Sequence, residues 1–182
     1  FNVTTTAILI GFPQVLVKAS NFIIRGEDKK KSRRQLKFID KDNVSLPAVG
    51  VGQSIREVIR VAEYSLENYN NAVVAFINRK EKLAREVMDN ELVVDSLSQS
   101  IMEYLSQLAQ VEMSAVDSRI VMQLMKITID LERVSDHSEN IAQSALRRID
   151  KNISFSKNAI AEVELISSNV KDALTLAVIS LK

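Results

Sequence analysis

A chain of 182 residues that is 46% hydrophobic, with four Gly, two Pro and 5% aromatics, can bury one full core but has too few turn formers and aromatic strands for a β-sandwich or barrel. It contains no cysteine, which excludes disulfides and thiolate metal sites and leaves carboxylates and a single histidine to hold any metal. The net charge of +1 hides two opposed blocks: seven basic side chains against two acidic over residues 25–37, and five basic against eleven acidic over 82–145. Such blocks suit different partners.

The chain begins at Phe1 rather than a methionine and is apolar from its first residue to Ile24. With no charged segment ahead of it, a signal peptide is a poor reading, and the chain is expected to be a piece of a longer one. A membrane span needs roughly 20 mostly apolar residues, and this run ends in a basic cluster, as the cytoplasmic end of a span does. Pro13 and Lys18 are tolerable there, since a kink can be accommodated and Lys18 can snorkel; a buried helix packed on the bundle is the alternative. Residues 1–24 are therefore expected to be the end of a transmembrane helix. Residues 25–50 read as a basic linker, with residues 25–37 facing an anionic membrane surface.

From Gln53 onward the apolar periodicity is helical. One seam runs Ile55, Ile59, Ala62, Leu66, Tyr69, Val73 and Phe76; the next runs from Leu83 through Val87, Val94, Leu97, Ile101 and Tyr104 to Val111. The third comprises Ile120, Leu124, Ile127, Leu131, Val134, Ser138, Ile141 and Ala145, and a looser fourth runs from Val163 to Leu181. Steps of three and four imply long helices crossing at small angles, so residues 51–182 are predicted to be an all-α, antiparallel bundle of three to four long helices. Ser114 with Asp117 fits a capping box at the start of the third helix. The first junction, near Asn78–Lys82, has no Gly or Pro.

The chemistry concentrates on two acidic pairs. Glu132 and Asp136 lie four apart on the third helix, off its seam, and Glu91 and Asp95 repeat that spacing on the second. Residues four apart share a helix face. If the two helices are antiparallel neighbours, all four carboxylates gather on one outer surface, where they repel unless a cation neutralises them. Simple solvation of an acidic face is the alternative. No Glu-x-x-His pair of a di-iron bundle is present; His137 could serve as an auxiliary ligand, and Arg133 as an ion-pair partner. No nucleophile–base pair, phosphate-cradling Gly-rich loop or nucleic-acid motif can be assembled, so neither an enzyme nor a nucleic-acid partner is expected.

Residues 131–142, Leu-Glu-Arg-Val-Ser-Asp-His-Ser-Glu-Asn-Ile-Ala, resemble the signature Leu-Glu-Arg-Ile-Gly-Asp-x-x-x-Asn-Ile-Ala of the PhoU family of phosphate-regulation proteins. Glu91-Leu92-Val93-Val94-Asp95 is similar to that family's earlier acidic motif. The resemblance implies a metal site at Glu91, Asp95, Glu132 and Asp136, holding a divalent or trivalent ion such as iron, zinc, manganese or magnesium. Only one such repeat is present, where a free-standing PhoU protein has two. Phe1-Asn2 before the apolar run resembles the end of the His-Thr-Leu-Phe-Asn segment of bacterial sodium/phosphate cotransporters, and Pro47-Ala48-Val49 leading to Gln53 and Glu57 resembles the linker that joins their last membrane span to a cytoplasmic PhoU-like domain. The resemblance therefore implies a regulatory or accessory domain of a sodium-dependent phosphate transporter at the inner membrane, with the bundle facing the cytoplasm. Its partner would be the transport domain of the same polypeptide; self-association into a homo-oligomer is left open. A soluble PhoU-type signalling adaptor and a metal-free helical scaffold are the competing readings.

Overall fold

The computed structural model describes residues 33–182, and the compact unit considered below runs from Leu36 to Lys182. The expected membrane span at 1–24 and most of the basic cluster lie outside the described residues; Arg33, Arg34 and Lys37, from the end of that cluster, are exposed. Among the described residues no helix is long and apolar enough to cross a membrane.

A 3-10 turn, Lys41–Ser45, leads into four helices: α1 (Pro47–Asn78), α2 (Glu81–Leu108), α3 (Ala115–Asp150) and α4 (Lys157–Ser180). Helix α1 starts ahead of the expected boundary at residue 51, because Pro47 occupies its first turn, where the ring's fixed φ is helical and its missing N–H costs nothing. Ser114 caps α3 as the sequence suggests: its Oγ accepts from Asp117 N–H at 3.0 Å and donates to Asp117 Oδ2 at 2.8 Å. Ser156 does the same for α4, accepting from Ala159 N–H at 3.1 Å.

The α1–α2 junction turns without glycine. Arg79 takes a left-handed conformation at φ 53° and ψ 45°, and Lys80 N–H donates back to Ala75 O at 3.0 Å. The terminal carbonyls of α1 are satisfied from α3, where Arg148 Nη1 donates to Phe76 O at 2.6 Å and to Ile77 O at 3.3 Å. Its guanidinium lies 5.4 Å from the Phe76 ring centre and 4.7 Å from that of Phe155. A buried arginine packed against two touching rings and donating to carbonyls thus satisfies the helix end, beside a left-handed Arg79 where Gly usually stands.

Helices α1, α2 and α3 pack on one another, and α4 packs principally on α1. The α2 seam is buried through most of its length, with Val87, Val94, Leu97, Ile101, Tyr104 and Leu108 fully enclosed, while Leu83 and Asn90 are half-buried and Val111 lies past the helix end. On α1 and α3 the buried line keeps part of the expected seam, Ala62 and Tyr69 on α1 and Leu124, Ser138 and Ala145 on α3, and elsewhere is displaced from it by one residue. It runs Val51, Ser54, Val58, Val61, Ser65, Asn68, Ala72 and Ala75 on α1, and Val121, Leu124, Thr128, Ser135, Ser138, Ala142 and Ala145 on α3. Small side chains let these backbones approach, and their hydroxyls find carbonyls: Thr128 Oγ1 donates to Leu124 O and Ser138 Oγ to Val134 O within α3, and Ser65 Oγ donates across to Leu131 O. The larger residues of the expected seams form a flank instead. Leu66, Ile127, Leu131 and Val134 line one cavity beneath α4, and Val73, Phe76 and Ile141 line a second. Helix α4 covers that flank loosely. Of its residues only Val178 is buried, while Leu165, Ile166, Leu176 and Ile179 are exposed.

Gly50 marks the tightest approach. A Cβ there would stand 2.7 Å from Tyr104 Oη and 3.0 Å from Leu108 Cδ1. Gly50→Ala should therefore destabilise the bundle by about 1–3 kcal/mol through overpacking, and Tyr104→Phe in that background should restore part of the loss. Urea denaturation of the two variants checks both outcomes; an unperturbed Gly50→Ala midpoint would mean that α1 and α2 are not this close.

Candidate functional site

Antiparallel packing of α2 on α3 brings the two predicted acidic pairs onto one flank. Glu91 and Glu132 are half-buried between the helices, and Asp95 and Asp136 stand exposed at the rim. Their proximity shows in the chemistry of Glu91, whose carboxyl is pushed above the usual carboxylate range, first by burial and then by the negative charges of Glu139, Asp95, Asp136 and Glu132. All four sequence-derived candidates are thus electrostatic neighbours, and Glu139 joins them. Glu139 falls seven residues after Glu132, two turns along the same face, so its place was readable in the spacing even though it was not counted among the ligands. Its carboxylate accepts from Gln143 Nε2 at 3.1 Å.

Three other residues of the signature face elsewhere. His137 and Asn140 line the cavity under α4 together with Val73, Phe76 and Val163, on the opposite flank of α3 from the acidic pairs. The auxiliary-ligand role considered for His137 therefore has no geometric support: five positions from Glu132, its side chain is rotated about 140° away around the helix. Arg133 is engaged by Asp130, Nη1 to Oδ1 at 3.7 Å, and Asp130 itself borders the second cavity under α4. Asp130 is consequently no member of the acidic group, although it lies close to it in sequence.

A cluster of carboxylates offers oxygen donors alone, the chemistry of hard cations and of borderline first-row ions. Among the described residues, however, no group of three or more Asp, Glu or His side chains is arranged as it would be around a metal ion. The donor chemistry fits a cation, and a coordination cage is not preformed. The arrangement does concentrate negative potential on one flank, and a cation or a basic partner surface meeting it would relieve the repulsion on Glu91.

Residues 58–145 match the PhoU domain family. This stretch, from the fourth turn of α1 through most of α3, is PhoU-like, and it contains both acidic pairs. Over 181 residues the chain is 22% identical to the "Putative inorganic phosphate export protein YjbB" of Salmonella typhimurium, an alignment that takes in 97% of this chain and 33% of that protein. It is 30% identical over 115 residues to the "Phosphate-specific transport system accessory protein PhoU homolog" of Aquifex aeolicus, covering 59% of this chain and 52% of the relative. A PhoU homolog of Thermotoga maritima is 31% identical over 90 residues, covering 49% and 39% of the two chains. The chain thus spans about a third of the length of the export proteins and about half or less of the accessory proteins. No solved structure gives a significant match.

A carboxyl whose pKa is raised by folding opposes folding when ionised, so its destabilising effect is absent at low pH and sets in as pH rises through the folded-state pKa. Glu91→Gln should accordingly raise the melting temperature at pH 7, by roughly 1–2 °C once solvent screening is allowed for. The gain should vanish as pH falls below the carboxylate range, where Glu91 is protonated in both states. Thermal melts of parent and variant between pH 3 and 8 test this (window set by the ordinary carboxylate range of about 4); a gain that is constant with pH would place its origin in packing rather than charge.

Proposed function

We propose that this chain is a PhoU-type accessory module that regulates phosphate transport by binding a transporter or signalling partner in trans. The observation that carries this reading is the coincidence of the PhoU match over 58–145 with a helical unit whose two acidic pairs meet on one flank. It is supported by relatives named as phosphate-specific transport accessory proteins, which are more alike in sequence to the matched region than the export proteins are to the whole chain.

A second form of the proposal has one observation in its favour. Alignment with the phosphate export proteins extends over 97% of this chain, well beyond the PhoU region, which suits a module carried by the same polypeptide as a membrane transport domain. In that form the bundle sits at the cytoplasmic face of the inner membrane, and the basic residues at 25–37 meet anionic headgroups. Sodium coupling belongs to this second form and rests on the sequence resemblance alone.

Occupation of the acidic flank by a divalent or trivalent cation is part of the proposal. Glu91, Asp95, Glu132 and Asp136 would supply the oxygens, with Glu139 adjacent. Bound charge there would remove the mutual repulsion and draw α2 and α3 together, which gives metal or a basic partner a way to bias helix packing.

Two measurements test the proposal. Calorimetric titration with manganese(II) should show binding to the unmodified chain, weakened in Asp95→Asn/Glu132→Gln/Asp136→Asn by more than the roughly 10-fold that loss of a mere outer-shell contact costs. Equal binding by both would remove the metal site. Radiolabelled phosphate flux in cells should change when the gene is deleted, and the triple variant should fail to restore it. Flux unchanged by deletion, in replete and in starved cells alike, would remove the transport role.

A further inference from the structure

Glu57 is a charged residue in a place where charge is costly. It lies in the interior of α1 with no exposed surface, and an ionised carboxylate is tolerated there only if its oxygens are saturated by donors. Those donors come in equal part from outside the helix and from Arg60 one turn along it. Glu57 Oε2 accepts from the backbone N–H groups of two consecutive residues, Lys37 at 2.8 Å and Phe38 at 2.6 Å. Oε1 accepts from Arg60 Nε at 2.6 Å, and the Arg60 guanidinium completes an ion pair. One turn earlier on the same face, Gln53 Oε1 accepts from Asp40 N–H at 3.2 Å. Two side chains of α1 thus hold the backbone of residues 37–40, a stretch with no helix or sheet partners of its own.

Side-chain packing around this grip is thin. Ile39 inserts into the core, and Leu36 and Val44 rest against it. Phe38 is half-buried, with the Arg56 guanidinium 4.5 Å and the Lys37 ammonium 5.2 Å from its ring centre. Lys37 and Asp40 are exposed. A segment with one buried side chain, Ile39, opens at lower cost than the helices it lies on. Its charge-assisted bonds are the strong part of the attachment.

We infer that residues 37–40 form a strap latched to the bundle by the Glu57 carboxylate, a latch that can open while α1, α2 and α3 stay folded. Closed, the latch holds the backbone of residues 37–40 against α1. Open, it exposes Glu57 to water and releases residues 37–40 from the helix. The device stands on this geometry and is independent of the phosphate reading.

Hydrogen exchange on the full chain, read by mass spectrometry and NMR across a denaturant series, tests the inference. In the unmodified protein, the amides of Lys37, Phe38 and Asp40 should exchange through an opening with little denaturant dependence, while the core amides of α2 exchange only through global unfolding. In Glu57→Gln, which keeps the shape but turns one acceptor into a donor, exchange at Lys37 and Phe38 should accelerate at least ten-fold. In Gln53→Ala the acceleration should be confined to Asp40. If strap and α2 amides in the unmodified protein share one strongly denaturant-dependent opening, the latch is no separate device. The inference is equally overturned if Glu57→Gln leaves Lys37 and Phe38 unaffected, since Ile39 then holds the strap unaided. The measurement on the unmodified chain decides the matter even if Glu57→Gln does not fold.

Discussion

Close approach of α1 and α3 along small side chains, with the large apolar seam of α2 packed on both, is the constraint from which the rest of this molecule follows. Serines 54, 65, 135 and 138 and alanines 62, 72, 75, 142 and 145 occupy the contact lines of α1 and α3, and Gly50 admits the Tyr104 hydroxyl at the end of α2. With the three backbones drawn in, the outer flanks of α2 and α3 converge as well, and the acidic side chains on them come within each other's field. The raised pKa of Glu91 is the electrostatic consequence of a packing decision made in the interior. A bundle spaced by leucines would hold the same carboxylates further apart and leave them merely solvated.

Much of this was legible in the sequence, and what was missed has identifiable causes. Helix number, the Ser114 cap and the acidic pairs follow from spacing, because a four-residue interval and a capping hydroxyl are local properties. The α2 seam was also readable, since its large apolar residues are the ones that end up inside. The seams on α1 and α3 were displaced by one residue over part of their length, because the apolar periodicity was followed through the bulkiest side chains. Leu66, Val73, Phe76, Ile127, Leu131 and Val134 turned out to face α4, where a looser interface has room for them. Serine and asparagine at the true contact carry no hydrophobic signal, so a pattern-based reading passes over them.

Two buried charges show the same limit from another side. Glu57 and Arg148 look like ordinary surface residues of helices, yet each is enclosed by partners distant in sequence, twenty residues for Lys37 to Glu57 and seventy-two for Phe76 to Arg148. Both satisfy backbone groups that secondary structure leaves open: the amides of an extended strap in one case and the terminal carbonyls of α1 in the other. Non-local backbone capping of this kind leaves no motif behind, and only the folded chain reveals it. The acidic flank stands between these extremes, because its members were visible in spacing while their meeting required the helix pair.

The central claim is that carboxylates of α2 and α3 form one electrostatic unit centred on Glu91. The most direct measurement is a side-chain carboxyl titration by NMR, following Glu91 in the unmodified chain and in Asp95→Asn/Glu132→Gln/Asp136→Asn. The account predicts that Glu91 titrates above the usual carboxylate range in the first and moves down towards it in the second. A Glu91 carboxyl that titrates normally in both, indifferent to its three neighbours, would contradict it.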